Sequence, residues 1–341
     1  MELGSRTFTL ISALTVGLAL VVVVLGAYVR LSHAGLSCPD WPGCYGQLLV
    51  PADEKAVASA NQAYPERPVD AERAWKEMIH RYLAGLLGLA IVVMAFLAYR
   101  RRRQPGQPLM IPLLLVALVL FQALLGMWTV TLLLKPLVVV AHLLGGLTTA
   151  ALCWWVFLRH ASARAANGRP PARQPRLPRR LAAMSIVVLL LQIGLGGWTS
   201  ANYAALACVD FPLCQGQVWP EMAFGEAFLP WRGVGQSYEG GVLATDARVT
   251  IHVVHRMGAL VTFFFLGFVA VYLMRSDLER RLTTAAGVVL ALLVMQVLLG
   301  IGNVVLHLPL GVAVAHNAGA ALLLLATVSV YHMTVPPKTP T

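Results

Sequence analysis

Eight runs of membrane length constrain this chain more than any other feature. A helix needs roughly 20 mostly apolar residues to cross a bilayer. Such runs fall at about Phe8–Val29, Ile79–Tyr99, Leu109–Val130, Pro136–Leu158, Leu181–Ser200, Val249–Met274, Thr283–Leu306 and Leu310–His332. They are too long and too continuous for barrel strands, which are short and alternate. The first is too long for a signal peptide and lacks a small-residue cleavage site, so it reads as a retained span. The expected fold is all-α: a polytopic membrane protein of eight transmembrane helices.

Composition agrees. The chain is 58% apolar and 12% charged, with a net charge of +11, whereas soluble domains lie near 50% and 25%. A basic balance can signal nucleic-acid binding, but here the charge is sorted by side. The two tails and the connections after even-numbered spans carry 16 of the 26 basic residues and 3 of the 15 acidic ones. Positive charge marks the cytoplasmic side. Both termini and the Arg-rich connections are therefore expected in the cytoplasm. The long loops at about 30–78 and 201–248 are expected outside, and the partner of the charge is anionic lipid rather than nucleic acid.

The sequence repeats internally. Cys38-Pro-Asp-Trp-Pro-Gly-Cys44 and Cys208-Val-Asp-Phe-Pro-Leu-Cys214 share the pattern C-x-D-aromatic-P-x-C, and each follows a glycine, Gly26 or Gly196, by 12 residues. His80-Arg81 matches His255-Arg256, Gln122-Ala-Leu-Leu-Gly126 matches Gln296-Val-Leu-Leu-Gly300, and Ala141-His142 matches Ala315-His316. The spacing from first to second histidine is 62 in one half and 61 in the other. Two four-helix units are expected, at 1–165 and 181–341, joined by an Arg/Pro-rich cytoplasmic linker at 166–180. Each unit has an even number of spans, so the two should share one orientation, as pseudo-twofold-related bundles about an axis along the membrane normal.

Ionisable side chains inside a membrane are costly and point to function. Two helices that each present one His across a bundle core can hold haem iron. The pairs offered here are His80 with His142 and His255 with His316, at one shallow depth near the outer face. A buried His bonded to a neighbouring helix is the plainer alternative for any one of them. Zinc fits less well, because no thiol or carboxylate repeats beside them to complete four ligands.

The halves differ at one informative position. Glu77 stands three residues before His80, whereas His252 stands three before His255. The i, i+3 spacing puts Glu77 on the face of His80, which suggests chemistry at the first pair and a permanent group at the second. A helix-start acid favoured by the dipole is the competing account. Arg81 and Arg256 suit haem propionates, or they snorkel to the interface. The four loop cysteines, Cys38, Cys44, Cys208 and Cys214, face an oxidising compartment and are expected to form two local disulfides; labile redox pairs are the alternative. Gly126, Gly196 and Gly300 allow either close helix approach or clearance for a macrocycle.

These residues resemble the haem A synthase family over nearly the whole chain. The resemblance is carried by the Gly26–Arg30 stretch with its C-x-D-W-P-x-C loop, by Glu77-Met-Ile-His80-Arg81, and by His142, His255-Arg256 and His316. It implies an enzyme of the bacterial inner membrane that oxidises the C8 methyl of haem O to the formyl of haem A. It implies a substrate site at His80 and His142, a haem b site at His255 and His316, and a catalytic Glu77. The partners expected are a haem O synthase that delivers the substrate, an electron acceptor, membrane lipid and further copies of the chain. A di-haem b electron-transfer subunit would also use paired histidines but leaves the lone Glu77 unexplained. A repeat-built transporter would be expected to carry acids deep in its spans.

Overall fold

A computed structural model of the chain describes residues 2–104, 107–165, 176–233 and 235–335. Ten helices follow in order: α1 (Glu2–Leu31), α2 (Glu54–Ala63), α3 (Ala71–Arg100), α4 (Met110–Thr131), α5 (Pro136–Ala165), α6 (Arg176–Ala201), α7 (Phe224–Ala227), α8 (Thr245–Arg275), α9 (Arg280–Val305) and α10 (Leu310–Thr334). All but α2 and α7 are long and apolar enough to cross a membrane, which gives the eight expected spans. Most of the expected linker, 166–175, lies outside the described residues, and 176–180 form the first turn of α6.

Five spans begin earlier than the apolar runs suggested, α3 by the most. Asp70 caps α3, its side chain accepting from the Arg73 amide, so the polar stretch Ala71–Lys76 is already helical. Asp and Ser/Thr caps satisfy amides that a helix start leaves without partners. His80 therefore does not open its span; it lies nine residues into α3. His255 lies ten residues into α8, while His142 and His316 lie six residues into α5 and α10.

The helices close two rings. α1 packs on α3 and α5, and α4 closes the first ring against α3 and α5; α6 packs on α8 and α10, and α9 closes the second. The rings meet where α1 and α5 lie against α6 and α10. Bonds cross this seam: Trp154 Nε1 donates to Ser329 Oγ at 2.8 Å, and Arg30 donates to Tyr203 Oη and the Ser200 carbonyl, both at 2.9 Å. Gly197 lets α5 approach, because a Cβ there would lie 2.8 Å from Leu143 Cδ2.

The backbone ends of corresponding spans are alike. His33 and Tyr203 follow α1 and α6 at positive φ, and the pairs Leu133-Leu134 and His307-Leu308 follow α4 and α9 in the same way. Left-handed residues commonly end helices. The two largest buried apolar clusters lie at the end of the bundle away from the cysteine loops, and smaller ones pack the loops themselves. At that far end Phe8, Ile91, Met94 and Leu115 form one core, and Leu266, Leu273, Leu282 and Leu323 form the other. The end beneath the cysteine loops is hollow.

Candidate active site

The two cysteine loops fold alike. Cys44 and Gln47 exchange backbone hydrogen bonds of 2.8 and 3.2 Å, and Cys214 and Gln217 exchange bonds of 2.9 and 3.1 Å. Each two-residue turn has both φ angles positive: Tyr45 and Gly46 at 55° and 74°, Gln215 and Gly216 at 54° and 73°. Glycine meets that requirement without strain. The aspartate of the repeated motif caps this turn. Asp40 accepts from the Tyr45 and Gly46 amides at 2.7 and 2.6 Å, and Asp210 from the Gln215 and Gly216 amides, both at 2.8 Å. The Gly216 amide, with that of Gln215, holds the Asp210 carboxyl below its usual range, so this anchor persists as pH falls past an ordinary aspartate's titration. Disulfides Cys38–Cys44 and Cys208–Cys214 close the loops. Trp41-Pro42 and Phe211-Pro212 are both cis. The sequence reading missed Gly46 and Gly216 as members of the repeat, although the constant offset of 170 residues between the loops exposes them.

Each loop is tied to the helix beneath it. Arg81 donates through Nη1 to the carbonyls of Asp40, Pro42 and Gly43 at 3.0, 3.2 and 2.5 Å, and its Nη2 lies 2.5 Å from Glu77 Oε1. Arg256 donates to the carbonyls of Leu213, Cys208 and Asp210 at 2.8, 3.1 and 2.9 Å. Both arginines are thus loop anchors, whatever else they bind. The other Glu77 oxygen, Oε2, accepts from the Cys38 amide at 3.0 Å, and His252 Nδ1 accepts from the Cys208 amide at 3.3 Å. Holding the first cysteine of the loop is therefore common to Glu77 and His252. What distinguishes Glu77 is its charge and its ion pair with Arg81, in a side chain only 6% exposed.

Beneath the loops lies a single continuous cavity of about 1690 Å³. That exceeds the 300–1,000 Å³ usual for one small-ligand pocket. His80, His142, His255 and His316 all line it, with Glu77, His252, Arg30, Arg81 and Arg256 at the same level and mostly aliphatic walls below. Among the described residues no three His, Cys, Asp or Glu converge on one point as a bare metal ion would need.

Each imidazole rests on a glycine of the next helix. A Cβ on Gly26 would come 2.9 Å from Cε1 of His80, on Gly196 3.1 Å from His255, on Gly300 3.2 Å from His316, and on Gly126 3.6 Å from His142. Gly126, Gly196 and Gly300 thus do something that neither reading foresaw: they make room for the cavity-lining histidines. The neighbouring Gly197 is the one that serves close helix approach. Cys153 is buried among the apolar residues of the first core.

Fold and cavity together define an eight-span membrane protein with four histidines on glycine floors under two disulfide-closed loops. The chain belongs to the COX15-CtaA family, described as cytochrome oxidase assembly protein, whose pattern it matches over residues 9–328. It is 46% identical over 317 residues to a protein of Shewanella oneidensis named heme A synthase, covering 93% of each chain. A protein of the same name from Mesorhizobium japonicum is 29% identical, over 89% of this chain and 84% of its own. Another, from a Caulobacter strain, is 28% identical over 90% of each.

Proposed function

We propose that this chain is a haem A synthase, oxidising the C8 methyl of haem O to the formyl of haem A. The observation that carries this reading is one chamber with two similar histidine pairs, only one of which has a carboxylate beside it. His255 and His316 would hold the iron of a resident haem b, and His80 and His142 the iron of the substrate haem O. The residues fit such groups. Nδ1 of His80, His142 and His316 is buried without a partner, and the rings of His80, His255 and His316 are each backed by a glycine where a Cβ would crowd them.

A resident haem supplies one-electron redox chemistry. The protein's own groups do the rest. The histidine pairs would hold each macrocycle in the cavity beneath the loops. The aliphatic walls exclude water, which strengthens every charge interaction inside. Glu77 lines the same cavity as His80 and would accept a proton as the methyl carbon loses hydrogen, and Arg81 holds the carboxylate in place. The faces of Arg81 and Arg256 left free by the loops are positioned for propionates. The disulfide loops lie on the outer side and the termini inside, in the orientation that the charge bias gives. A haem O synthase would supply the substrate, and an electron acceptor would complete the cycle. The two four-helix units, 1–165 and 181–341, are taken as copies related by an axis along the membrane normal.

The test is turnover. Membranes containing this chain and a source of haem O should yield a tetrapyrrole heavier by one oxygen and lighter by two hydrogens, read by mass spectrometry; unchanged haem O would reject the reading. The glycine floors add a graded expectation. Gly26→Ala puts a methyl within 3.0 Å of the His80 ring, whereas Gly126→Ala leaves ordinary contact with His142. Pigment bound at the first pair, measured per protein after purification, should fall sharply in the former and stay near normal in the latter.

A further inference from the structure

Three of the four histidines share a second feature that their glycine floors do not explain. Gln122, Gln192 and Gln296 each stand four residues before the glycine that receives the ring. Gly145, Gly258 and Gly319 each stand three residues after His142, His255 and His316. The glutamine amide fills the slot at that second glycine in all three cases, where a Cβ would collide with it. Gln122 and Gln296 belong to the repeated sequence motif, and Gln192 stands at the corresponding place before Gly196.

The slots are not used equally. Gln192 Nε2 donates to the His255 carbonyl at 3.0 Å and lies 3.0 Å from His255 Nδ1. Gln296 Nε2 donates to the His316 carbonyl at 2.8 Å. Gln122 fills its slot, but neither amide atom has a partner. At His80 the device is missing altogether: Val22 stands where α1 would carry the glutamine, and Leu83 stands where α3 would carry the glycine. The backbone brace is therefore present at His255 and His316, unbonded at His142 and missing at His80.

We propose that Gln192 and Gln296 are positioning residues that retain the resident tetrapyrrole of the second pair, and that the first pair lacks this bracing so that its tetrapyrrole can leave. The inference rests on the function proposed above and adds a cause for the different fates of the two groups. A side-chain bond from the neighbouring helix to a ligand's own backbone stops that ligand from backing away from the metal. Such outer-shell partners typically govern metal affinity by about 10- to 100-fold. A site that turns over substrate must open in each cycle, and a permanent site must not.

The experiment uses the full chain in lipid nanodiscs and measures loss of each pigment to excess apomyoglobin, with the ferric low-spin signal recorded alongside. Gln192→Leu and Gln296→Leu should lose haem b about 10- to 100-fold faster and shift that signal, with helix content unchanged. Val22→Gln combined with Leu83→Gly builds the missing brace and should slow release from the first pair, an effect that a merely structural role would not produce. Unchanged haem b loss and an unchanged signal in both leucine variants would overturn the inference. So would a Gln122→Leu variant that frees the first pigment as strongly as Gln192→Leu frees the second. A wild-type protein that binds no haem b would overturn the functional reading itself, and this one with it.

Discussion

His255→Ala should strip haem b from the purified protein while leaving the eight spans folded. The imidazole stands on Gly196, is braced by Gln192, and shares the cavity with His316. Removing an outer-shell partner of a metal ligand costs about 10- to 100-fold in affinity, and removing the ligand itself should cost more. The expected readout is loss of the haem b band from the reduced-minus-oxidised spectrum. His80→Ala should do the opposite: it should keep that band and lose the pigment of the first pair. A His255→Ala protein with the wild-type spectrum would reject the assignment of the second pair.

Glu77→Ala and Glu77→Gln should both keep the haem b band and lose formyl product. General acid–base groups contribute about 10²- to 10⁴-fold to rate, so the expected fall in product is at least about 100-fold. The two substitutions separate two jobs. Glutamine can still accept the Cys38 amide bond that Glu77 makes at 3.0 Å, so the loop stays anchored, but it cannot take up a proton or pair with Arg81. Alanine loses both and leaves Arg81 without its ion partner, a defect that costs about 3–5 kcal/mol when such a pair is fully buried. If only alanine lowers product, Glu77 is a loop anchor like His252. If glutamine lowers it equally, the charge is what the first site needs. Undiminished product in both would end the catalytic reading.

Much of this was legible because a membrane makes hydropathy nearly decisive. All eight spans were readable from apolar length, and the cysteine pairs close as their spacing suggested. That four histidines line one cavity was foreshadowed because duplication repeats their spacing. Other features carry no apolar signal. The first turns of α3, Ala71–Lys76, carry three charged residues and no continuous apolar run, so apolar length alone puts the helix start too late. The propionate reading of Arg81 and Arg256 rested on charge alone. It did not foresee that each guanidinium binds three loop carbonyls, because carbonyl geometry leaves no mark in composition. Asp40 and Asp210 were visible as motif letters, but their use as turn anchors depends on left-handed angles at the residues that follow. The glutamine slots needed two helices seen together: Gln192 and Gly258 are 66 residues apart and meet only in the fold.

The most direct test of the central claim, that two alike histidine pairs hold two different tetrapyrroles, is the pigment inventory of the purified wild-type protein. Extraction followed by chromatography and mass spectrometry should give haem b together with haem O or its hydroxylated or formyl derivatives. Haem b alone, filling two equivalent sites, would contradict the claim and leave an electron-transfer subunit in its place.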